Sequence, residues 1–204
     1  MSIKELYNSS NIFINEIIQK KYLLSSEYSY TDMIEKRFLP YLNNNKIDAK
    51  NILLNKRFIP GGSILRGFLN PAKVSMSNCY VLMPETDSLE SIFELCKKMA
   101  KTYSYSGGVG YDISILRPKD CIVNNSAKYS TGSVSFLPLF DTVTRTIGQN
   151  GRRGAALAAI QDWHPDLLDF IKAKANPELV FNRDNITGEL PTISYTNISV
   201  KLSD

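Results

Sequence analysis

From Ser77 onward, short β-favouring runs alternate with stretches whose apolar residues recur at helical spacing, and this alternation leaves few architectures open. The first run is Ser77-Asn78-Cys79-Tyr80-Val81-Leu82, stopped by Pro84 and the polar residues beyond it. A helix follows to about Tyr103. Asp87 or Ser88 can accept hydrogen bonds from its first-turn amides, and Leu89, Ile92, Phe93, Cys96, Met99 and Ala100 share one apolar face. Gly107-Gly108-Val109-Gly110 then reads as a glycine turn leading into an apolar strand that ends at Arg117. A helix over 134–148 carries a stripe of Phe136, Leu139, Phe140, Val143, Thr144 and Ile147, and a short buried strand follows at 156–160. His164-Pro165-Asp166 opens another helix with proline at its first position, and 193–202 reads as a last strand without a partner. Together these predict an α/β fold.

Upstream the pattern is purely helical. Ile12, Phe13, Ile17 and Ile18, then Met33, Ile34, Phe38 and Leu42, keep helical periodicity, with Thr31 and Asp32 as the expected cap of the second helix and Asn43-Asn44-Asn45 as its stop. At Arg57-Phe58-Ile59-Pro60-Gly61-Gly62 the texture becomes glycine-punctuated. The expected organisation is therefore a helical region over 1–56 and a main domain over 57–204.

Composition narrows the function. No apolar stretch approaches the ~18 residues of a membrane span, and the first residues lack the apolar run of a signal peptide, so a cytoplasmic location is expected. Three cysteines, Cys79, Cys96 and Cys121, at irregular spacing suit neither a disulfide framework nor paired zinc ligands, and a single histidine argues against a protein-only metal site. The net charge of +4 comes from dispersed basic residues, which fits a small anionic ligand better than a nucleic-acid groove.

The residues able to carry chemistry each have a plainer reading. Cys79 is either a packed strand cysteine or a reactive thiol. The glycines at 107–110 either make a tight turn or let the backbone approach a ligand, and they match neither phosphate-loop nor dinucleotide patterns. Gln149-Asn150-Gly151-Arg152-Arg153-Gly154 sets an amide and two guanidinium groups on a glycine-rich loop suited to phosphate and base edges, or is simply a solvated loop. Arg117 ends a strand or meets a phosphate. His164 reads as a helix cap, and Trp163 as a core residue.

Taken in order, Ser77-Asn78-Cys79-Tyr80-Val81, Asp87-Ser88-Leu89-Glu90-Ser91-Ile92, Gly107-Gly108-Val109-Gly110, Ser114-Ile115-Leu116-Arg117-Pro118, Thr131-Gly132-Ser133-Val134-Ser135-Phe136, 148–155 and His164-Pro165-Asp166 resemble the catalytic chain of ribonucleotide reductases over 57–204. The resemblance implies the first part of a ten-stranded α/β barrel and an oxidoreductase that makes deoxyribonucleotides for DNA replication. It makes Cys79 the first of two thiols that reduce the ribose. Asn78 and Gly108 match substrate contacts, and Asp87, Ser88 and Arg117 match the site of an allosteric deoxynucleotide effector such as dTTP or dATP. Gln149, Arg152 and Arg153 match the loop that carries the effector's signal to the substrate base. The wording of the glycine segments is closer to the adenosylcobalamin-dependent branch than to the branch whose radical comes from a separate small subunit.

The family's second strand cysteine, its Asn-x-Cys-x-Glu segment and its C-terminal cysteine pair are not matched in this sequence. The expectation is the N-terminal part of a reductase, arising from a split gene, an intein-type interruption or truncation, that needs a complementary C-terminal polypeptide or the missing C-terminal part, forms a homodimer once completed and is inactive alone. The alternative is a non-catalytic deoxynucleotide-binding regulator of the same fold.

Overall fold

The computed structural model describes residues 3–42, 46–72, 74–124, 126–147, 154–183 and 187–204, which divide into two compact units, Met1–Ser77 and Asn78–Asp204. The first unit is helical: α1 (Ile3–Lys21), α2 (Tyr30–Met33), continued by a π-helical turn (Ile34–Phe38) and a 3-10 turn (Leu39–Tyr41), then α3 (Lys46–Leu54) and α4 (Gly62–Gly67). Ser29, not Thr31, caps α2. Its extended backbone lets Oγ accept the Asp32 amide at 3.1 Å, whereas Thr31 already lies inside the helix. The Asn43–Asn45 stop lies outside the described residues.

Tyr30, Met33, Ile34, Phe38, Leu53 and Leu65 form this unit's core, with the Phe68 ring packed at a tilt 5.0 Å from that of Phe38. Beside the core, Arg37 is buried against Glu27 at 2.5 Å and also donates to the carbonyls of Tyr22 and Phe68 at 2.8 and 3.0 Å. One guanidinium thus ties three chain segments, and the two buried charges, Arg37 and Glu27, pair with each other. Since Leu65 and Phe68 pack here, the compact division falls at Ser77, whereas the sequence texture changes at Arg57.

The second unit is built on four parallel strands, β1 (Cys79–Leu82), β2 (Gly108–Asp112), β3 (Ala156–Gln161) and β4 (Thr196–Lys201), paired in sequence order. The crossovers are α5 (Leu89–Ser104), then a 3-10 turn (Ser133–Phe136) with α6 (Leu137–Thr146), then α7 (Leu167–Ala175) with a short turn (Pro177–Leu179). Successive crossovers of one hand, always stepping to the next strand, put every helix on the same face, which is barrel winding. Burial follows that rule. Val109, Tyr111, Ala156, Ala158 and Ile160 are buried in one cluster with Leu95, Met99, Tyr103, Leu137, Phe140 and Phe170. On the other face, Val81 is 79% and Leu157 42% exposed. The α/β class and the partial barrel are as the sequence predicts.

Several local expectations fail for physical reasons. The last strand does have a partner, because α7 returns it alongside β3 in full register from Ala156↔Thr196 to Gln161↔Lys201. The glycines at 108 and 110 lie inside β2 rather than in a turn, and β2 ends at Asp112. Residues 113–116 are a turn instead of a strand, since Asp112 Oδ1 accepts the Ser114 amide at 2.9 Å. Leu89 and Phe93 sit off the packed face of α5, 55% and 57% exposed, and Trp163 is 64% exposed rather than core. α7 begins at Leu167, so Pro165 precedes the helix instead of opening it.

Candidate functional site

Cys79 is the first residue of β1, directly opposite Gly108 in the register, and the Gly108 amide donates to the Asn78 carbonyl at 2.7 Å. Its thiol is exposed on the sheet face turned away from α5, α6 and α7. A Cβ added to Gly108 meets nothing nearer than 3.4 Å, and one added to Gly110 nothing nearer than 3.9 Å. Packing within the described residues therefore requires neither glycine, and their missing side chains leave room beside the thiol. Gly107 is different: a Cβ there comes within 2.7 Å of Thr102 and of the Tyr80 ring, so close helix-to-strand packing explains it. Ser106, just before the glycines, takes a left-handed conformation at φ 69°.

The other thiols contrast with Cys79. Cys96 is buried in α5, where burial pushes its thiol up to about 11, too high to give a useful thiolate near neutrality. Cys121 is half-buried, beside a loop closed by an isolated bridge between Ile122 and Tyr129.

A second cluster forms at the start of α5. Ser88 Oγ caps the helix by accepting the Ser91 amide at 3.2 Å, which leaves Asp87 free for Arg117, thirty residues away. Arg117 Nε–H donates to Asp87 Oδ2 at 2.5 Å and Nη2–H to the Asp87 carbonyl at 3.1 Å, with both side chains partly exposed. A guanidinium beside the positive end of a four-turn helix favours an anion. An adjoining cavity of ≈ 340 Å³ touches Ser88 and Lys98, but Glu85, Glu90 and Glu94 also line it, a carboxylate excess that disfavours phosphate there. Gln149, Arg152 and Arg153 lie outside the described residues.

Three buried or half-buried aspartates escaped sequence reasoning. Asp166 accepts the Lys119 and Ser133 amides at 3.0 and 2.9 Å and the Ser133 hydroxyl at 2.9 Å. Asp141 accepts the Ser194 and Tyr195 amides at 3.2 and 2.8 Å, fixing the approach to β4. Its position among Leu137, Phe140 and Thr144 on the buried side of α6 was the available signal. Asp112 accepts from Ser114 and, at 2.6 Å, from Lys201, while Ser114 Oγ accepts the Gln161 amide at 2.8 Å, joining the ends of β2, β3 and β4. Burial alone raises the Asp112 carboxyl, but the Lys201 and Ser114 hydrogen bonds outweigh it and hold it below the usual carboxylate range.

Residues 77–201 match the family described as ribonucleotide reductase, barrel domain. A vitamin B12-dependent ribonucleoside-diphosphate reductase of Thermoplasma acidophilum is 42% identical over 113 residues, 55% of this chain and 15% of that protein. One of the same name from Mycobacterium tuberculosis is 34% identical over 154 residues, 75% of this chain and 20% of that protein. The chain thus spans a fifth or less of the length of these curated relatives. Among solved structures, an Actinobacillus ureae class Id ribonucleotide reductase alpha subunit superposes with a TM-score of 0.70 at 19% identity, over 92% of this chain and 32% of that one. The family match takes in every strand of the sheet, from the residues that lead into Cys79 to the end of β4, and on that ground this chain belongs to the ribonucleotide reductase family as part of its barrel domain.

Proposed function

We propose that this chain contributes one arc of a ribonucleotide reductase barrel, with Cys79 as one of the two thiols that reduce the ribose. The exposed thiol opposite Gly108, on the sheet face turned away from α5, α6 and α7, is the observation that carries this reading. The balance needs two thiols: the substrate's 2′ hydroxyl leaves as water, the 2′ carbon gains hydrogen, and the thiols become a disulfide. A reducing cytoplasm restores them between turnovers. Asn78 and Gly108 border the thiol and hold the nucleotide beside it. At the other end of β1, Asp87, Ser88 and Arg117 bind a deoxynucleoside triphosphate such as dTTP or dATP. Gln149, Arg152 and Arg153 relay its identity to the substrate base.

The second thiol and the radical-bearing cysteine belong to the rest of the barrel, since Cys96 is buried in the helix layer and neither it nor Cys121 stands in the Asn-x-Cys-x-Glu context of the radical-bearing residue. The completed enzyme is a homodimer. Two relatives named as vitamin B12-dependent favour adenosylcobalamin as the radical source over a separate small subunit. That group supplies the radical when bound. His164, the chain's single histidine, has both ring nitrogens engaged within the fold, so no imidazole here fits as its ligand, and this chain's part is confined to thiol, substrate and effector.

Mixing the chain with a polypeptide carrying the rest of the barrel tests the reading. Ribonucleotide reduction is expected from the mixture and from neither part alone, with Cys79→Ser abolishing it. Turnover undiminished by Cys79→Ser would overturn it.

A further inference from the structure

His164 and Asp166 are 4% and 7% exposed, and the thiol chemistry uses neither. The Asp166 amide donates to His164 Nδ1 at 3.1 Å, which makes Nε2 the protonated nitrogen and aims its N–H at the Leu116 carbonyl, 2.9 Å away. The Asp166 carboxylate takes the Lys119 amide through Oδ1 and anchors itself through Oδ2 on the Ser133 amide and hydroxyl. Gly132 passes so close, at φ +91°, that a Cβ there comes within 2.9 Å of Asp166 Oδ2 and 3.0 Å of Lys119.

The residue before Arg117 and the second residue after it are therefore both tied to one three-residue element, His164-Pro165-Asp166, with Pro118 stiffening the span between them. Arg117 then reaches Asp87 through its side chain. We propose that His164 and Asp166 are positioning residues for Arg117: they hold the 116–119 turn so that the guanidinium stands over Asp87, ready for an anion. This rests on reading Asp87, Ser88 and Arg117 as the effector site. A turn that needed only to be closed has no use for a buried imidazole and a buried carboxylate, each aimed at a backbone group beside the arginine.

The test uses the full 204-residue chain, labelled with ¹⁵N, and reads solvent exchange of the Arg117 Nε–H, assigned by its disappearance in Arg117→Lys. In His164→Gln and Asp166→Asn that exchange is expected to quicken about tenfold, the upper range for one lost hydrogen bond. Asp141→Asn is the control: it too weakens a buried carboxylate that anchors backbone amides, but at residues 194 and 195, so it lowers stability and leaves the Arg117 signal alone. Should Asp166→Asn not fold, Ser133→Ala removes a single donor to the same carboxylate and must still quicken exchange about twofold. Unchanged Arg117 exchange in the folded variants, or an equal change in Asp141→Asn, overturns the positioning role. A dTTP titration separates the two readings. Absent binding by the wild type with Arg117 exchange still sensitive sinks the effector site alone, whereas equal dTTP affinity in wild type and variants sinks the positioning role alone.

Discussion

Along β3, Ala156, Ala158 and Ile160 face the helices while Leu157 faces away, and the same alternation separates Tyr111 from Gly110 and Leu82 from Val81. One side of each strand meets Leu95, Met99, Phe140 and Phe170 and is filled. The other side carries an exposed thiol, two unpacked glycines and half-exposed apolar residues. Two cysteines divide in the same way. Cys96 is an inert member of the helix layer, while Cys79 stands where solvent or a substrate reaches it. A strand's period of two thus lets a single sheet keep stability on one face and reactivity on the other.

The comparison breaks first if the filled face is not what stabilises the unit. Phe140→Ala is expected to cost about 3–5 kcal/mol in denaturant unfolding, as a fully buried ring in contact with Tyr111 should. A loss under about 1 kcal/mol would contradict the core assignment. The glycines sharpen the contrast. Gly107→Ala, forced against Tyr80 and Thr102, should cost about 1–3 kcal/mol, whereas Gly108→Ala and Gly110→Ala should stay within about 1 kcal/mol by the same measurement. Equal costs would mean that the second face is as closely packed as the first. Ser88→Ala, which removes the α5 cap on the filled side, is expected to cost about 0.5–2 kcal/mol.

The smallest effect is a pH dependence. Burial raises the folded Cys96 thiol to about 11, so between the ordinary thiol value and that point the unfolded chain loses a proton that the folded chain keeps. Stability from this group is complete below the ordinary value and falls as pH rises towards 11. Replacing Cys96→Val should remove that share of the alkaline decline. An unaltered slope would place the thiol in solvent.

What the sequence disclosed follows the range of the physics involved. Alternating periodicity identifies β1, α5, β3 and the core role of Cys96, because a strand or helix face is written in neighbouring residues. The partner of β4 is not written there, since parallel pairing depends on where a crossover helix returns the chain. Apolar character alone misplaces Trp163, Leu89 and Phe93, because an exposed large side chain carries the same letter as a buried one. At the site, the ordered motifs single out Cys79, Asp87 and Arg117. The Asp87–Arg117 pairing itself spans thirty residues, and the Asp166 anchor spans 47 from Lys119 and 33 from Ser133, distances over which no local pattern operates.

The central claim is that Cys79 gives up electrons to the ribose, and a single-turnover oxidation measurement on the complemented enzyme tests it most directly. With no external reductant present, alkylation and mass spectrometry after one turnover should find the Cys79 peptide in a disulfide, in step with the deoxynucleotide formed, and Cys96 still a free thiol. Deoxynucleotide formed while Cys79 remains fully alkylatable would contradict the account.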